Sequence, residues 1–122
     1  MRKYLAIKDW TTTFNYPIIV SKGDKILIDL LKKEDNPDWQ GWLWCTFREA
    51  EGWIPEQIVD VIESNTISAG AVVIENYSAQ ELNVKTGENV LGEKILNGWL
   101  WCKKEGEETY GWLPLSVLEE LQ

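Results

Sequence analysis

The sequence contains no histidine, one methionine and only two cysteines. Without histidine, the common Ser–His and Cys–His catalytic arrangements and most zinc sites are excluded. Positive charge is also scarce, with 12 Lys and Arg residues against 20 Asp and Glu residues and a net charge of −8. This balance disfavours nucleic acid and anionic membrane surfaces as partners, because both attract clustered cations. It is compatible with a basic partner, although negative charge also simply keeps a protein soluble.

Long apolar runs are missing as well. No run approaches the ~20 residues that cross a bilayer. The start, MRKYLAIKDW, holds an apolar stretch of four residues, which is shorter than the ~7–15-residue core of a signal peptide. We therefore expect a chain that begins near Met1 and stays in the cytoplasm.

The two cysteines, Cys45 and Cys102, occupy the same place in two copies of one pentapeptide, GWLWC. A disulfide between them is one interpretation. Equivalent positions in two separate modules should not face each other, however, so the pattern favours buried thiols that act as small apolar residues.

The pentapeptide belongs to a longer internal repeat. AIKDWT pairs with VIENYS, KGDKIL with TGENVL, and GWIPEQIV with GWLPLSVL, in the same order in both halves. The offsets along the repeat are 67, 64, 57 and 59, as expected when loops vary over a fixed framework. The repeat predicts two modules, at 1–62 and 71–122, with the polar segment 63–70 as a linker.

Each module is predicted to be all-β. Short runs rich in Val, Ile, Leu and Trp alternate with Gly, Asn, Asp and Pro at intervals of about 8–12 residues, which is typical of a small barrel or sandwich. The strands expected are 4–7, 25–31, 42–48, 52–54 and 59–62 in the first module, and 71–74, 89–91 with its continuation, 99–104, 110–113 and 117–121 in the second.

Together the blocks resemble the Src-homology-3 (SH3) domain, twice and over nearly the whole chain. That family begins with an ALYDY-like strand, followed by a long loop, a KGE turn, a Trp-rich strand and a GYIP segment. AIKDW, SKGDKI, GWLWC and GWIPEQIV are the matching elements of the first module, and VIENY, KTGENV, GWLWC and GWLPLSVL those of the second. The resemblance implies two tandem SH3-like barrels of five short strands each.

The family binds extended, often proline-rich peptides in a shallow aromatic groove. By motif, the resemblance assigns Trp10, Trp42, Pro55 and Ile58 to the groove of the first module. It assigns Tyr77, Trp99, Pro114 and Val117 to that of the second, with Glu81 as the only carboxylate in its long loop. The chain departs from the family at Lys8, Glu75, Ile58 and Val117, where the pattern has aromatic residues.

Strand alternation gives the tryptophans a further role. If Cys45 faces a tight interior, Trp42 and Trp44 share the outer face, and the family's hairpin register places Trp53 opposite Trp44. The second module repeats this arrangement with Trp99, Trp101 and Trp112. Three exposed indoles per module predict a ligand-binding surface, since monomers seldom leave such apolar area unused. The alternatives are cross-strand stabilisation and packing of the two patches against each other.

Trp39 lies in LKKEDNPDWQG, an insertion absent from the second module. One hypothesis is that Trp39 extends the first groove, while Glu34, Asp35 and Asp38 favour a basic ligand residue. The alternative is a solvated loop whose tryptophan folds back on the barrel.

The sequence therefore predicts a non-catalytic module, with no metal or cofactor, that binds a protein or extended peptide. Two other functions stay open: binding of a cell-wall peptide or glycan, and a structural role in which the tryptophan patches seal a homodimer or an inter-domain interface. The sequence does not decide the oligomeric state.

Overall fold

The structure is a computed structural model of the chain, and it describes residues 1–13, 15–32 and 40–122. The predicted all-β fold class is confirmed, because two five-stranded antiparallel sheets dominate the described residues. The strands are β1 (Arg2–Ala6), β2 (Ile19–Val20), β3 (Lys25–Asp29), β4 (Trp42–Phe47), β5 (Ala50–Pro55), β6 (Val59–Ser64), β7 (Ser68–Val73), β8 (Tyr77–Ser78), β9 (Asn89–Leu96), β10 (Trp99–Lys104), β11 (Tyr110–Pro114) and β12 (Leu118–Glu120). Single 3-10 turns at Glu56–Ile58 and Leu115–Val117 lead into β6 and β12.

One compact unit is a continuous segment, Tyr16–Ala79, which we call the continuous unit. Its sheet has the order β5–β4–β3–β7–β6, and β2 pairs with β8. Alternation along β3 sends Ile26 and Ile28 into the interior and leaves Leu27 52% exposed. The core adds residues from the neighbouring strands: Cys45, Ile54, Ala69, Ala71 and Val73.

The second compact unit, which we call the split unit, combines Met1–Asn15 with Gln80–Gln122. Its sheet has the order β11–β10–β9–β1–β12. Asn97 and Gly98 join β9 to β10 with φ angles of 48° and 83°, a left-handed pair that a two-residue hairpin turn needs and that Asn and Gly tolerate. The core contains Tyr4, Ala6, Val90, Leu100, Cys102 and Leu113.

These units correct the domain boundaries expected from the repeat. The repeat predicts that β1 completes the sheet built from β3 to β6. The structure instead places β1 between β9 and β12, and β7 between β3 and β6. The first strands of the two repeats are thus exchanged, so that the units are 16–79 and 1–15 with 80–122, rather than 1–62 and 71–122.

The segment 63–70 is a β-hairpin rather than a linker. Glu63 and Ser64 belong to β6, and β7 begins at Ser68. Between them, Oδ1 of Asn65 accepts hydrogen bonds from the backbone N–H groups of Ile67 (2.7 Å) and Ser68 (2.8 Å). An asparagine that bonds the backbone just ahead of it stabilises a tight turn. This hairpin makes β7 the immediate sheet neighbour of β6.

Candidate binding surfaces

In the split unit, one indole from each chain segment contributes to the candidate surface. Trp10 follows β1 and Trp99 begins β10, and their ring centroids lie 5.6 Å apart at an interplanar angle of 81°. Edge-to-face contact of this kind is favoured by the aromatic quadrupole. Trp99 is only 1% exposed, whereas Trp10 is half-buried. Trp10 therefore covers Trp99 and is the accessible indole of the pair.

Glu81 lies beside Trp10. The indole Nε1–H of Trp10 donates a hydrogen bond of 2.9 Å to Oε1 of Glu81. Burial raises the pKa of this carboxyl above its ordinary value, and hydrogen bonds from Trp10 and Thr12 oppose the shift. A half-buried carboxylate thus sits next to a half-buried indole, which suits a ligand carrying both apolar and basic groups.

Backbone pairing fixes the position of Trp10. Its N–H donates to the carbonyl of Val84 at 2.8 Å, and the N–H of Val84 donates back to the carbonyl of Trp10 at 2.9 Å. The N–H of Thr12 donates to Oδ1 of Asn83 at 2.8 Å. The two arms of this long loop, 10–12 and 81–84, therefore hold each other in register.

The continuous unit has an equivalent pair. Tyr77 lies in β8, where Val20 of β2 is its register partner. Its ring centroid lies 6.3 Å from that of Trp42, at an interplanar angle of 49°. The hydroxyl of Tyr77 donates a hydrogen bond of 3.1 Å to the carbonyl of Trp53. Tyr77 is half-buried and Trp42 is 8% exposed, so here too the aromatic residue of the long loop covers the tryptophan of the strand.

The expected composition of both grooves is therefore corrected. The resemblance implies that Trp10 lies with Trp42 and Tyr77 with Trp99. The structure instead places Trp10 beside Trp99 and Tyr77 beside Trp42. Glu81 accordingly lies with Trp10 rather than with Tyr77.

The expected cross-strand registers are confirmed. Trp44 is the direct partner of Trp53 across β4 and β5, and Trp101 that of Trp112 across β10 and β11. Each pair has ring centroids 5.1 Å apart. Cross-strand aromatic pairs at this spacing stabilise a sheet by roughly 0.2–1 kcal/mol.

The expectation of three exposed indoles per module is wrong. Trp44 and Trp101 are half-buried, but the other four members of the two sets are almost inaccessible: Trp42 (8% exposed), Trp53 (6%), Trp99 (1%) and Trp112 (3%). The outward strand face is not an open face, because the long-loop aromatics Trp10 and Tyr77 lie against it.

Four other groove residues are also buried, and all of them lie at the 3-10 turns. Pro55 and Pro114 end β5 and β11 and are fully buried, and Ile58 and Val117 are each 5% exposed. Proline fixes the extended backbone that precedes each turn, and the apolar residue at its end packs inward. Val117 and Ile58 belong to the cores against which Trp10 and Tyr77 pack.

Two contacts with Trp44 and Trp101 were not foreseen. Nζ of Lys32 lies 3.7 Å from the ring centroid of Trp44, and Tyr110 stacks on Trp101 with centroids 6.0 Å apart and planes at 14°. Tyr110 could have been found from the sequence, because it lies two residues before Trp112 on the same strand face. Lys32 lies beyond the end of β3, where strand alternation no longer predicts which way a side chain points.

The hypothesis about Trp39, Glu34, Asp35 and Asp38 falls on residues outside those that the structure describes. It stays a prediction.

The family model described as the variant SH3 domain matches the sequence over residues 3–62. One variant SH3 domain is found at residues 3–62. An SH3-like domain is in general a protein-interaction module with protein or peptide partners. The SH3 match begins in β1 and ends in β6, so its bounds follow the sequence repeat. It therefore includes β1, which the structure assigns to the split unit. No curated protein and no solved structure matches the chain.

Charge is distributed unevenly between the units. The continuous unit, which contains most of the SH3 match, carries 5 Lys and Arg residues and 11 Asp and Glu residues, a net charge of −6. The split unit carries 7 Lys and Arg residues and 9 Asp and Glu residues, a net charge of −2. Negative charge is therefore concentrated in the continuous unit.

The two thiols are confirmed as buried and free. Cys45 and Cys102 are both 0% exposed, and burial raises the pKa of each thiol to about 12. Neutral thiols in apolar surroundings are poor nucleophiles. Along the described ranges, no helix has the length and apolar character needed to cross a membrane.

Proposed function

We propose that this chain is a non-catalytic interaction module that binds an extended peptide segment carrying a basic side chain, and that the Trp10–Glu81 pair of the split unit forms its main contact. The observation that carries the proposal is the 2.9 Å hydrogen bond that holds the Trp10 indole against the Glu81 carboxylate. The pair combines an apolar face with an acceptor for a cation.

The indole supplies the apolar part of the contact. Trp10 is half-buried and its ring is braced edge-on by Trp99, so little rotamer freedom remains to be lost when a ligand packs on it. An extended, proline-containing segment is a suitable partner, because its backbone is already ordered before it binds.

The carboxylate supplies the polar part. Oε1 of Glu81 accepts a hydrogen bond from Trp10. Burial nevertheless raises the pKa of the carboxyl, so the protein does not fully replace the hydration that the ionised carboxylate loses. A guanidinium or ammonium group stabilises such a carboxylate by charge-assisted hydrogen bonding. A ligand arginine or lysine therefore fits this position.

The continuous unit supports the same preference for cations. The ring of Trp44 already holds the Lys32 ammonium at 3.7 Å, which is the geometry of a cation–π contact. The net charge of −6 of this unit favours a ligand with basic residues and a faster association at low salt, and such a residue would compete with Lys32 for the Trp44 ring.

A titration followed through the indole N–H signals tests the proposal. The probe is a synthetic proline-rich peptide with one arginine, and its twin has alanine at that position. We expect the arginine peptide to shift the Trp10 indole signal. Affinity should fall about tenfold with the alanine twin or with Glu81→Gln, as for loss of a hydrogen bond to a charged group.

Glu107→Gln is the matched control, because it removes an exposed carboxylate from the β10–β11 turn of the same unit. If it weakened binding as much as Glu81→Gln, the effect would be one of overall charge, and the site would be misassigned. A Trp10 signal unmoved by a panel of arginine-containing proline-rich peptides would overturn the proposal.

A further inference from the structure

The first strands of the two repeats, β1 and β7, occupy equivalent places. β1 lies between β9 and β12, and β7 lies between β3 and β6. In register, Tyr4 is opposite Val90 and Ala71 is opposite Ile26. The two strands therefore pair in the same way with β9 and β3. The tight turn at Asn65 already favours β7 beside β6, but it does not explain why β1 lies beside β9 rather than β3.

The inward side chains of the two strands differ in size. β1 contributes Tyr4 to its core, and at the equivalent position β7 contributes Ala71. The neighbouring strands differ in the opposite sense. Aligning KGDKILI with TGENVLG makes Ile28 of β3 the equivalent of Gly92 of β9. The large residue of β1 thus lies beside a glycine, and the small residue of β7 belongs to the core that contains isoleucine.

Contact distances show that the match in the split unit is close. A Cβ atom placed on Gly92 would lie 2.8 Å from Cε1 of Tyr4 and 2.7 Å from Cδ1 of Leu100. Tyr4 and Leu100 are 4% and 1% exposed, so neither side chain can relieve the contact by turning into solvent. The tyrosine ring fills the space that a side chain at position 92 would need.

The reversed arrangement would be poorly packed in both units. Tyr4 would meet Ile28 in a core built around alanine, and Ala71 would leave a void beside Gly92. Arg2 would also take the place of Ala69, which is 3% exposed, and bury a charge. In the observed place Arg2 is exposed, and its Nη1 lies 3.0 Å from Oε1 of Glu120.

We infer that the size match of Tyr4 with Gly92, and of Ala71 with Ile28, acts together with the β6–β7 hairpin to select which first strand enters which unit, and that these four are positioning residues for the candidate binding surfaces. The selection brings Trp10 to Trp99 and Glu81, and Tyr77 to Trp42. The size match between these residues does not depend on the proposed function. Only its consequence for ligand binding depends on that function.

Engineered disulfides test the inference on the whole chain. Lys3 is the register partner of Leu91 in the split unit, and in the reversed arrangement it would take the place of Gly70 opposite Leu27. Paired residues of antiparallel strands lie within the ~4.4–6.8 Å that a disulfide spans. We expect Lys3→Cys/Leu91→Cys to form an intramolecular disulfide and Lys3→Cys/Leu27→Cys to form at least about tenfold less.

Changing the size match should change this preference. Arg2→Ala/Tyr4→Ala/Gly92→Ile gives β1 and its unit the character of β7 and its unit, and the 3–27 disulfide should then appear alongside 3–91. Ile28→Gly/Ala71→Tyr makes the opposite change, because it gives β7 and its unit the side-chain sizes of β1 and its unit. This variant replaces the first one if the first does not fold. Leu113→Ala is the control, because it opens the split-unit core without changing the sizes of residues 4 and 92, and it should leave the preference for 3–91 unchanged.

Three results would overturn the inference. One is a 3–27 disulfide in the otherwise unaltered chain at a yield similar to 3–91. Another is a preference for 3–91 that persists in both equalised variants. The third is a 3–91 disulfide that links two different chains, and never two positions of one chain, even when the protein is oxidised at low concentration. Because none of these readouts involves a ligand, they can fail or succeed separately from the peptide titration.

Discussion

The indole Nε1–H of Trp10 bonds Oε1 of Glu81 at 2.9 Å, and 71 positions of sequence separate the two residues. This bond exists because β1 lies beside β9 rather than beside β3. The strand exchange therefore does more than join two units. It determines which aromatic residue and which carboxylate share a surface.

Replacing Glu81 by glutamine should stabilise the protein at neutral pH. Burial raises the folded-state pKa of Glu81 above its ordinary 4.5, so the folded state binds the proton more tightly than the unfolded state. Stability is then lost as the pH rises from 4.5 through the folded pKa. Glutamine removes this loss and still accepts from Trp10.

The measurement is the thermal unfolding midpoint of parent and Glu81→Gln between pH 4 and pH 8. The variant should have the higher midpoint at pH 7, and the difference should shrink toward pH 4. Glu107→Gln, which removes an exposed carboxylate, is the control for the loss of one negative charge. A Glu81→Gln midpoint below that of the parent at pH 7 would contradict the assignment of burial as the main cause.

Gly92→Ala should destabilise the split unit. The added Cβ would lie 2.7–2.9 Å from atoms of Leu100 and Tyr4, and overpacking of this kind costs about 1–3 kcal/mol. Gly70→Ala is the control, because its Cβ would lie 3.5 Å from Cγ of Glu63 in ordinary contact. Denaturant titrations followed by near-ultraviolet circular dichroism would compare the two. Equal losses of stability in the two variants would show that the structure around Gly92 accommodates a Cβ atom without strain.

The continuous unit should fold without the rest of the chain. Residues 16–79 contain all five strands of its sheet, whereas 80–122 lacks β1. We expect cooperative thermal unfolding for 16–79 and none for 80–122, with structure restored to 80–122 when a peptide of residues 1–15 is added. Cooperative unfolding of 80–122 by itself would show that β1 is dispensable for the split unit.

Both cysteines should resist alkylation in the native state. Burial raises the pKa of Cys45 and Cys102 to about 12, so the thiolate fraction at pH 8 is about a thousandfold smaller than for an ordinary cysteine. Iodoacetamide labelling followed by mass spectrometry should modify neither residue until denaturant is added. Rapid labelling of either thiol in the native protein would contradict its burial.

Some of the fold could be predicted because it depends on local pattern. The small size of Cys45 predicts that it lies in the interior, and the hairpin register implied by the SH3 resemblance pairs Trp44 with Trp53, as the structure has them. Both inferences need only neighbouring strands of one hairpin. Trp39 lies outside the described residues, and its role stays a prediction.

The strand exchange could not be read from the repeat, because AIKDW and VIENY have the same alternation and either could enter either unit. The burial of Trp42 and Trp99 was missed for a related reason. Alternation assigns a side chain to a face, but it does not say that Tyr77 and Trp10 cover that face. Side-chain size carries the missing information, since tyrosine at position 4 requires a glycine such as Gly92 beside it.

The most direct test of the account is a nuclear Overhauser spectrum of the native chain, read at the Trp10 indole. With ring centroids 5.6 Å apart, Trp10 should show cross-peaks to the ring protons of Trp99. Cross-peaks from Trp10 to Trp42, with none to Trp99, would place β1 with β3 to β6 and contradict both the strand exchange and the binding surface built on it.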